Sequence, residues 1–140
     1  MGRQVFWLDL ITMQVLLDTH TLLWWWGDDP RLSPTVRALL EEDETIVYVS
    51  AVCALEMAIK VRLDRLPEMK ERIHHFEAAV HEDGFHLLVI RPDNAICAGL
   101  LPGDHRDQFD RILAAQGLAD DLVVVTKDRE IATFGCKVLW

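Results

Sequence analysis

What the chain lacks narrows its class first. It has only three cysteines, Cys53, Cys97 and Cys136, widely spaced and set among apolar neighbours. An odd, scattered set excludes a disulfide framework and reads as small core residues in a reducing compartment, so a cytoplasmic setting is expected. No uncharged run reaches the ~18 residues that a membrane span needs. The apolar leader up to Leu17 carries Arg3 and Asp9 and has no small-residue cleavage site, so it does not read as a signal peptide. A soluble protein without membrane contact is expected. There is no Gly-rich phosphate loop and no serine or cysteine nucleophile signature. Positive charge is scarce: Lys and Arg number 14 against 23 for Asp and Glu, a net charge of −9. That excludes a general nucleic-acid coat, which relies on basic surface to release counterions. It does not exclude a nuclease, because bound cations reverse the sign of an acidic site. An acidic body also suits a basic protein partner.

What is present fits one domain. The chain has 140 residues, of which 51% are apolar, enough for a single hydrophobic core. Short apolar runs at Gln14–Leu17, Ile46–Val49, Leu87–Ile90, Leu122–Val125 and Lys137–Leu139 alternate with amphipathic stretches. Runs apolar on successive residues suit strands buried on both faces, and the alternation predicts a parallel sheet covered by helices. The helices carry their own punctuation. Ser33-Pro34 is a cap followed by proline at the first helical position, and Ser50 can cap a helix with Val52, Leu55, Ile59 and Leu63 on one stripe. Pro67 precedes a predicted helix with Met69, Ile73, Phe76 and Val80 on one face, stopped near Gly84. Pro92 opens a short helix ended by Pro102-Gly103, and Asp107 can cap the helix running toward Leu118. Residues 1–12 precede the first strand and read as an extension whose order the sequence does not fix, with Met13 a natural start. The domain proper is 13–140.

Four acids stand where folding alone would favour neutral side chains. Asp18 follows the first strand, and Asp128 follows the fourth in Val125-Thr126-Lys127-Asp128. Glu56 is the lone charge in Ala51–Ile59, and Asp110 opens an apolar helix beside Phe109, Ile112 and Leu113. Each has a bland reading. Asp18 and Asp128 are good helix caps, while Glu56 and Asp110 could sit on solvated helix edges. Taken together they point to one site, since open parallel sheets place sites at the carboxyl ends of strands. Crowded carboxylates repel at low dielectric, and a hard divalent cation, Mg2+ or Mn2+, relieves that repulsion. Such a cation makes water acidic enough to attack phosphorus.

At these residues the sequence resembles the PIN-domain family and, within it, the VapC-type ribonuclease toxins of toxin–antitoxin pairs. Leu16-Leu17-Asp18-Thr19-His20-Thr21-Leu22-Leu23-Trp24-Trp25 resembles the family's first strand and helix. Ser50–Lys60 is similar to the segment bearing its second acid, Leu101–Gln116 to its third, and Val124–Asp128 to its fourth. The resemblance spans Met13 to Trp140. It implies an α/β/α fold with a five-stranded parallel sheet. It implies Asp18 and Asp110 as principal metal ligands, Glu56 and Asp128 completing the acidic cluster, and Thr126 as a supporting hydroxyl. It further implies an Mg2+- or Mn2+-dependent endoribonuclease that hydrolyses RNA phosphodiester bonds with a metal-activated water. A homodimer and a cognate antitoxin follow by the same likeness. The helices around Trp24–Trp26 and Ile59–Leu66 are the expected antitoxin groove, into which an antitoxin arginine could reach toward the acids. One departure is Gln108, where these toxins usually carry proline.

Several neighbours have competing readings. Three consecutive tryptophans, Trp24, Trp25 and Trp26, point about 100° apart on a helix and cannot share one core. A partner contact is expected, with a hydrophobic shelf or base stacking as alternatives. His20 and His105 flank the acids. Because such sites favour oxygen, a phosphate contact or a structural hydrogen bond is expected of them instead of ligation. His74, His75, His81 and His86 read as surface residues. Lys60, Arg62, Arg65, Arg106, Arg111, Lys127 and Arg129 surround the acids and are candidates to guide a phosphate backbone or plain solvated faces. Two rivals remain. A phospho-accepting receiver domain needs an acceptor aspartate after the third strand, where this chain has Arg91-Pro92. A catalytically idle interaction module on the same fold is the other.

Overall fold

The computed structural model describes residues 13–140. The extension at 1–12 lies outside the described residues. A parallel sheet forms from β1 (Gln14–Leu17), β2 (Ile46–Ser50), β3 (His86–Leu88), β4 (Val123–Val125) and β5 (Val138–Leu139). Its order is β3-β2-β1-β4-β5. The helices are α1 (Thr19–Trp26), α2 (Pro34–Glu41), α3 (Ala51–Arg62), α4 (Phe76–Glu82), α5 (Pro92–Leu100) and α6 (Gln108–Ala119). The expected α/β/α arrangement is the one observed.

Burial follows position in the sheet. Val15, Leu16 and Leu17 of β1 and Val124 and Val125 of β4 are wholly buried, which is why these central strands read as unbroken apolar runs. Each such side chain contributes roughly 1.5–3 kcal/mol by leaving water. The edge strands β3 and β5 are only half-buried and shorter than their apolar runs: β3 ends at Leu88, leaving Val89 exposed.

Register sets the site. Leu17 of β1 is level with Val49 of β2 and Val125 of β4. The residues that follow, Asp18, Ser50 and Thr126, therefore emerge along one edge. Strand order reverses between β1 and β4, so this is also the switch point where a crevice opens. The order also removes the receiver reading, whose sheet runs 2-1-3-4-5.

The helix punctuation holds in most places. Ser33, Ser50 and Asp107 each accept a hydrogen bond from a first-turn amide of α2, α3 and α6. Gly84, with φ 74°, ends α4 as expected. The stretch after Pro67 differs. Instead of one helix it forms two 3-10 turns, Pro67–Met69 and Arg72–His75, before α4. Met69, Phe76 and Val80 still bury, but no side chain caps these turns. Apolar spacing marks which residues go inward and does not by itself close a helical ladder.

α6 carries Asp110. Its carboxyl end turns into β4, so its amino end lies at the carboxyl edge of the sheet. Gly117 permits the close approach: a Cβ there would stand 2.9 Å from Val124 Cγ2. At the other end Asp107 Oδ1 accepts from the amides of Phe109 and Asp110 at 2.9 and 3.2 Å. The Gln108 amide takes no part in this cap, and Asp107 has extended backbone (φ −71°, ψ 109°) compatible with a following proline. Gln108→Pro is thus expected to stabilise the fold by roughly 0.5–1 kcal/mol, by restricting the unfolded chain. Urea unfolding checks this, and a lowered midpoint would show that the Gln108 side chain matters more than backbone entropy.

Candidate metal centre

Asp18 is buried at the end of β1 and does two jobs. Its Oδ1 caps α1, accepting from the Thr21 amide at 2.8 Å and the Thr21 hydroxyl at 2.5 Å. Its Oδ2 accepts from the Thr126 hydroxyl at 2.6 Å. The reading of Asp18 as a helix cap holds, and its second oxygen is engaged at the sheet edge. Thr126 Oγ1 in turn accepts from the Asp128 amide at 3.0 Å. One hydroxyl thereby ties the ends of β1 and β4 together. Asp128 is exposed, and its Oδ1 accepts from the Glu130 amide at 2.9 Å, again a cap as well as a candidate ligand.

Asp110 is half-buried in the first turn of α6. Its Oδ2 meets His105 Nε2 at 2.9 Å. His105, Asp110 and Asp128 each offer a ligand atom, all within 4.8 Å of one another. Of the four expected acids, Asp110 and Asp128 fall in this group, and Asp18 and Glu56 do not. His105 joins Asp110 and Asp128, more intimately than its sequence position implied. Burial pushes the Asp110 carboxyl up to about 6, against the lowering effect of its bond to His105. That same bond pushes the His105 imidazole above its ordinary value. Both hold protons more tightly than usual, Asp110 through desolvation and His105 through its bonded carboxylate.

Glu56 sits apart from this trio. Its Oε1 accepts from the Thr19 hydroxyl at 2.6 Å, and Lys60 Nζ is 3.4 Å from its Oε2. It is tied to the residue after Asp18 through the Thr19 hydroxyl. Cys53 is wholly buried between them, and desolvation pushes its thiol up to about 12, so it is no nucleophile.

Arg111 corrects the reading of the basic residues. It is buried, and its guanidinium donates to the carbonyls of Ala98 (2.9 Å), His105 (2.9 Å) and Leu101. It also lies over the Phe134 ring. It is not available to phosphate; it pins the 101–107 loop that carries His105. The sequence showed only another arginine beside an acid. The cations that do face solvent gather elsewhere. A cavity of about 330 Å³ is lined by Arg31, Lys60, Arg65 and Arg72 with Asp29 and Glu68, beside Trp24. Four cations against two carboxylates make it locally positive on an acidic chain. It borders the acids through Lys60, the partner of Glu56, and through Lys127, whose Nζ lies over the Trp24 ring beside Asp128.

The three tryptophans separate as helix geometry requires. Trp24 packs on His20 and Trp140, Trp25 on Phe85 and Trp26 on Phe76. The indole N–H groups of Trp25 and Trp26 both donate to Asp83. All three are half-buried against their own chain.

Residues 15–135 match the PIN domain family. The chain belongs to that family. PIN domains are generally nucleases. Solved structures with the same fold include VapBC2 from Rickettsia felis bound to a DNA fragment from its promoter, at TM-score 0.67 and 12% identity over 91% of this chain and 98% of that one. FitAcB from Neisseria gonorrhoeae has TM-score 0.60 and 22% identity over 90% and 96% of the two chains. A toxin–antitoxin complex from Klebsiella pneumoniae has TM-score 0.58 and 16% identity over 90% and 96%. No curated protein matches the sequence. Asp18, Asp110 and Asp128 offer hard oxygen donors at the carboxyl edge of the sheet, a donor chemistry that fits a divalent cation. No helix among the described residues is long and apolar enough to cross a membrane.

Proposed function

We propose that this PIN domain is a divalent-cation-dependent endoribonuclease acting as the toxin of a toxin–antitoxin pair. The observation that carries the reading is the meeting of Asp110 and Asp128 at the edge where Thr126 also joins Asp18. Asp18, Asp110 and Asp128 would hold Mg2+ or Mn2+, with Glu56 completing the acidic rim. A cation bound there supplies Lewis acidity and makes water a nucleophile at neutral pH. Thr21 and Thr126 fix the Asp18 carboxylate before substrate arrives, so little reorganisation is needed. Arg65 and Arg72 are exposed and make no ion pair among the described residues, which leaves them to hold flanking phosphates. The locally positive cavity beside Trp24 suits a single-stranded backbone with a base near the aromatic wall.

The toxin role is supported by the toxin–antitoxin complexes among the structural neighbours. A basic antitoxin segment suits the net charge of −9, and the exposed Leu55 and Leu63 along and just after α3, beside the positive cavity, suit the apolar face of an antitoxin helix. A homodimer is supported by another face. Ile96 and Leu100, four apart on α5, are 63% and 79% exposed, with Val89 beside β3 also exposed. Ile96→Glu should convert a dimer to a monomer in light scattering; a variant that stays dimeric would place the interface elsewhere.

The deciding experiment incubates the purified chain with unstructured and structured RNAs in Mg2+, in Mn2+ and with chelator. Cleavage of unstructured RNA that stops with chelator is expected. Absence of cleavage in both ions, or cleavage indifferent to chelator, would overturn the reading.

A further inference from the structure

We infer that His105 is itself a ligand of the cation, a nitrogen donor in an otherwise oxygen site, held in place by Glu130. This rests on the proposed metal centre and adds to it a residue outside the acid set. The geometry has two halves. His105 Nδ1 lies 2.9 Å from Glu130 Oε2, and Nε2 lies 2.9 Å from Asp110 Oδ2. A neutral imidazole has one N–H. With that proton on Nδ1 donated to Glu130, the Nε2 lone pair faces the carboxylates of Asp110 and Asp128. Carboxylate, imidazole and metal in this sequence form a recurrent arrangement, in which the outer carboxylate sets the tautomer and raises ligand basicity.

The spacing agrees. Two donors each about 2.1 Å from a shared small cation, at right angles, lie about 3 Å apart. The Nε2 to Oδ2 separation of 2.9 Å has that value. One further contact packs on the ring and another anchors its backbone. Phe134 meets it edge-on with centroids 5.6 Å apart. Arg111 holds the His105 carbonyl at 2.9 Å. A side chain serving only as a surface hydrogen bond needs no such support.

A nitrogen donor biases the site away from Mg2+ and toward a first-row transition ion such as Mn2+, because imidazole suits those ions and Mg2+ prefers oxygen.

Pulsed electron paramagnetic resonance of the full chain with Mn2+ reads this without any activity. A 14N coupling to bound Mn2+ is expected in the wild type and in His20→Gln. It should vanish in His105→Gln and in His105→Asp. The latter, which restores an oxygen donor, should keep Mn2+ bound and narrow its preference over Mg2+. Glu130→Gln should lower Mn2+ affinity by roughly 10–100-fold. Circular dichroism confirms that each variant is folded. Mn2+ bound to the wild type without 14N coupling overturns the inference and leaves the metal centre standing. No Mn2+ binding at all overturns both.

Discussion

Asp18→Asn is expected to reduce metal-dependent RNA cleavage by at least about 10³-fold while leaving the fold intact. The size follows from the several kcal/mol that a catalytic cation contributes, at 1.36 kcal/mol per tenfold. Both carboxylate oxygens are engaged, Oδ1 by Thr21 and Oδ2 by Thr126. Asparagine keeps an acceptor for the α1 cap, so the helix start survives. It loses the negative charge, and its amide cannot accept the Thr126 hydroxyl proton. Cleavage and thermal unfolding measured side by side separate the two effects. A variant that cuts as well as wild type would remove Asp18 from the site. A variant that unfolds would show that the carboxylate matters chiefly as a cap.

The largest effect on stability is expected at Arg111. Arg111→Ala strips three carbonyls of their donor, those of Ala98, Leu101 and His105. An unsatisfied buried polar group costs about 1–3 kcal/mol. Some of these carbonyls will reach water once the loop loosens, so a net loss of roughly 3 kcal/mol is expected. For a domain of this size that lowers Tm by about 10 °C. Arg111→Lys should recover only part of the loss, since one ammonium cannot reproduce a planar fork aimed at three acceptors. Differential scanning calorimetry decides it. A fall of under about 1 kcal/mol would mean that water replaces the guanidinium without penalty.

Much of this molecule was legible in the sequence for a local reason. A strand buried on both faces must be apolar at successive positions, and β1 and β4 are. An acid directly after such a strand stands at the sheet edge whatever the rest of the chain does, which is why the place of Asp18 could be read, and Asp128 follows β4 by three residues. Asp110 and Glu56 were marked by their apolar surroundings, and both are half-buried. What was not legible depends on partners distant in space. Arg111 and Lys127 look alike beside an acid, yet only Arg111 lies under a loop whose carbonyls need it. His105 read as accessory because its spacing to Asp110 says nothing about Glu130, which completes its other side from the far end of the chain. The turns after Pro67 carry helical apolar spacing without caps, and spacing alone could not reveal that the ladder breaks.

The pairing of β1 with β4 has a consequence during synthesis. Asp18 and Thr126 are separated by more than a hundred residues of chain and meet only when β1 and β4 pair. A ribosome that has completed β1, β2 and β3 has made three adjacent strands with Asp18 at the open β1 margin and nothing opposite it. Asp18 gains its Thr126 partner only when β4 docks, so a chain broken off before that strand leaves one carboxylate oxygen without its donor.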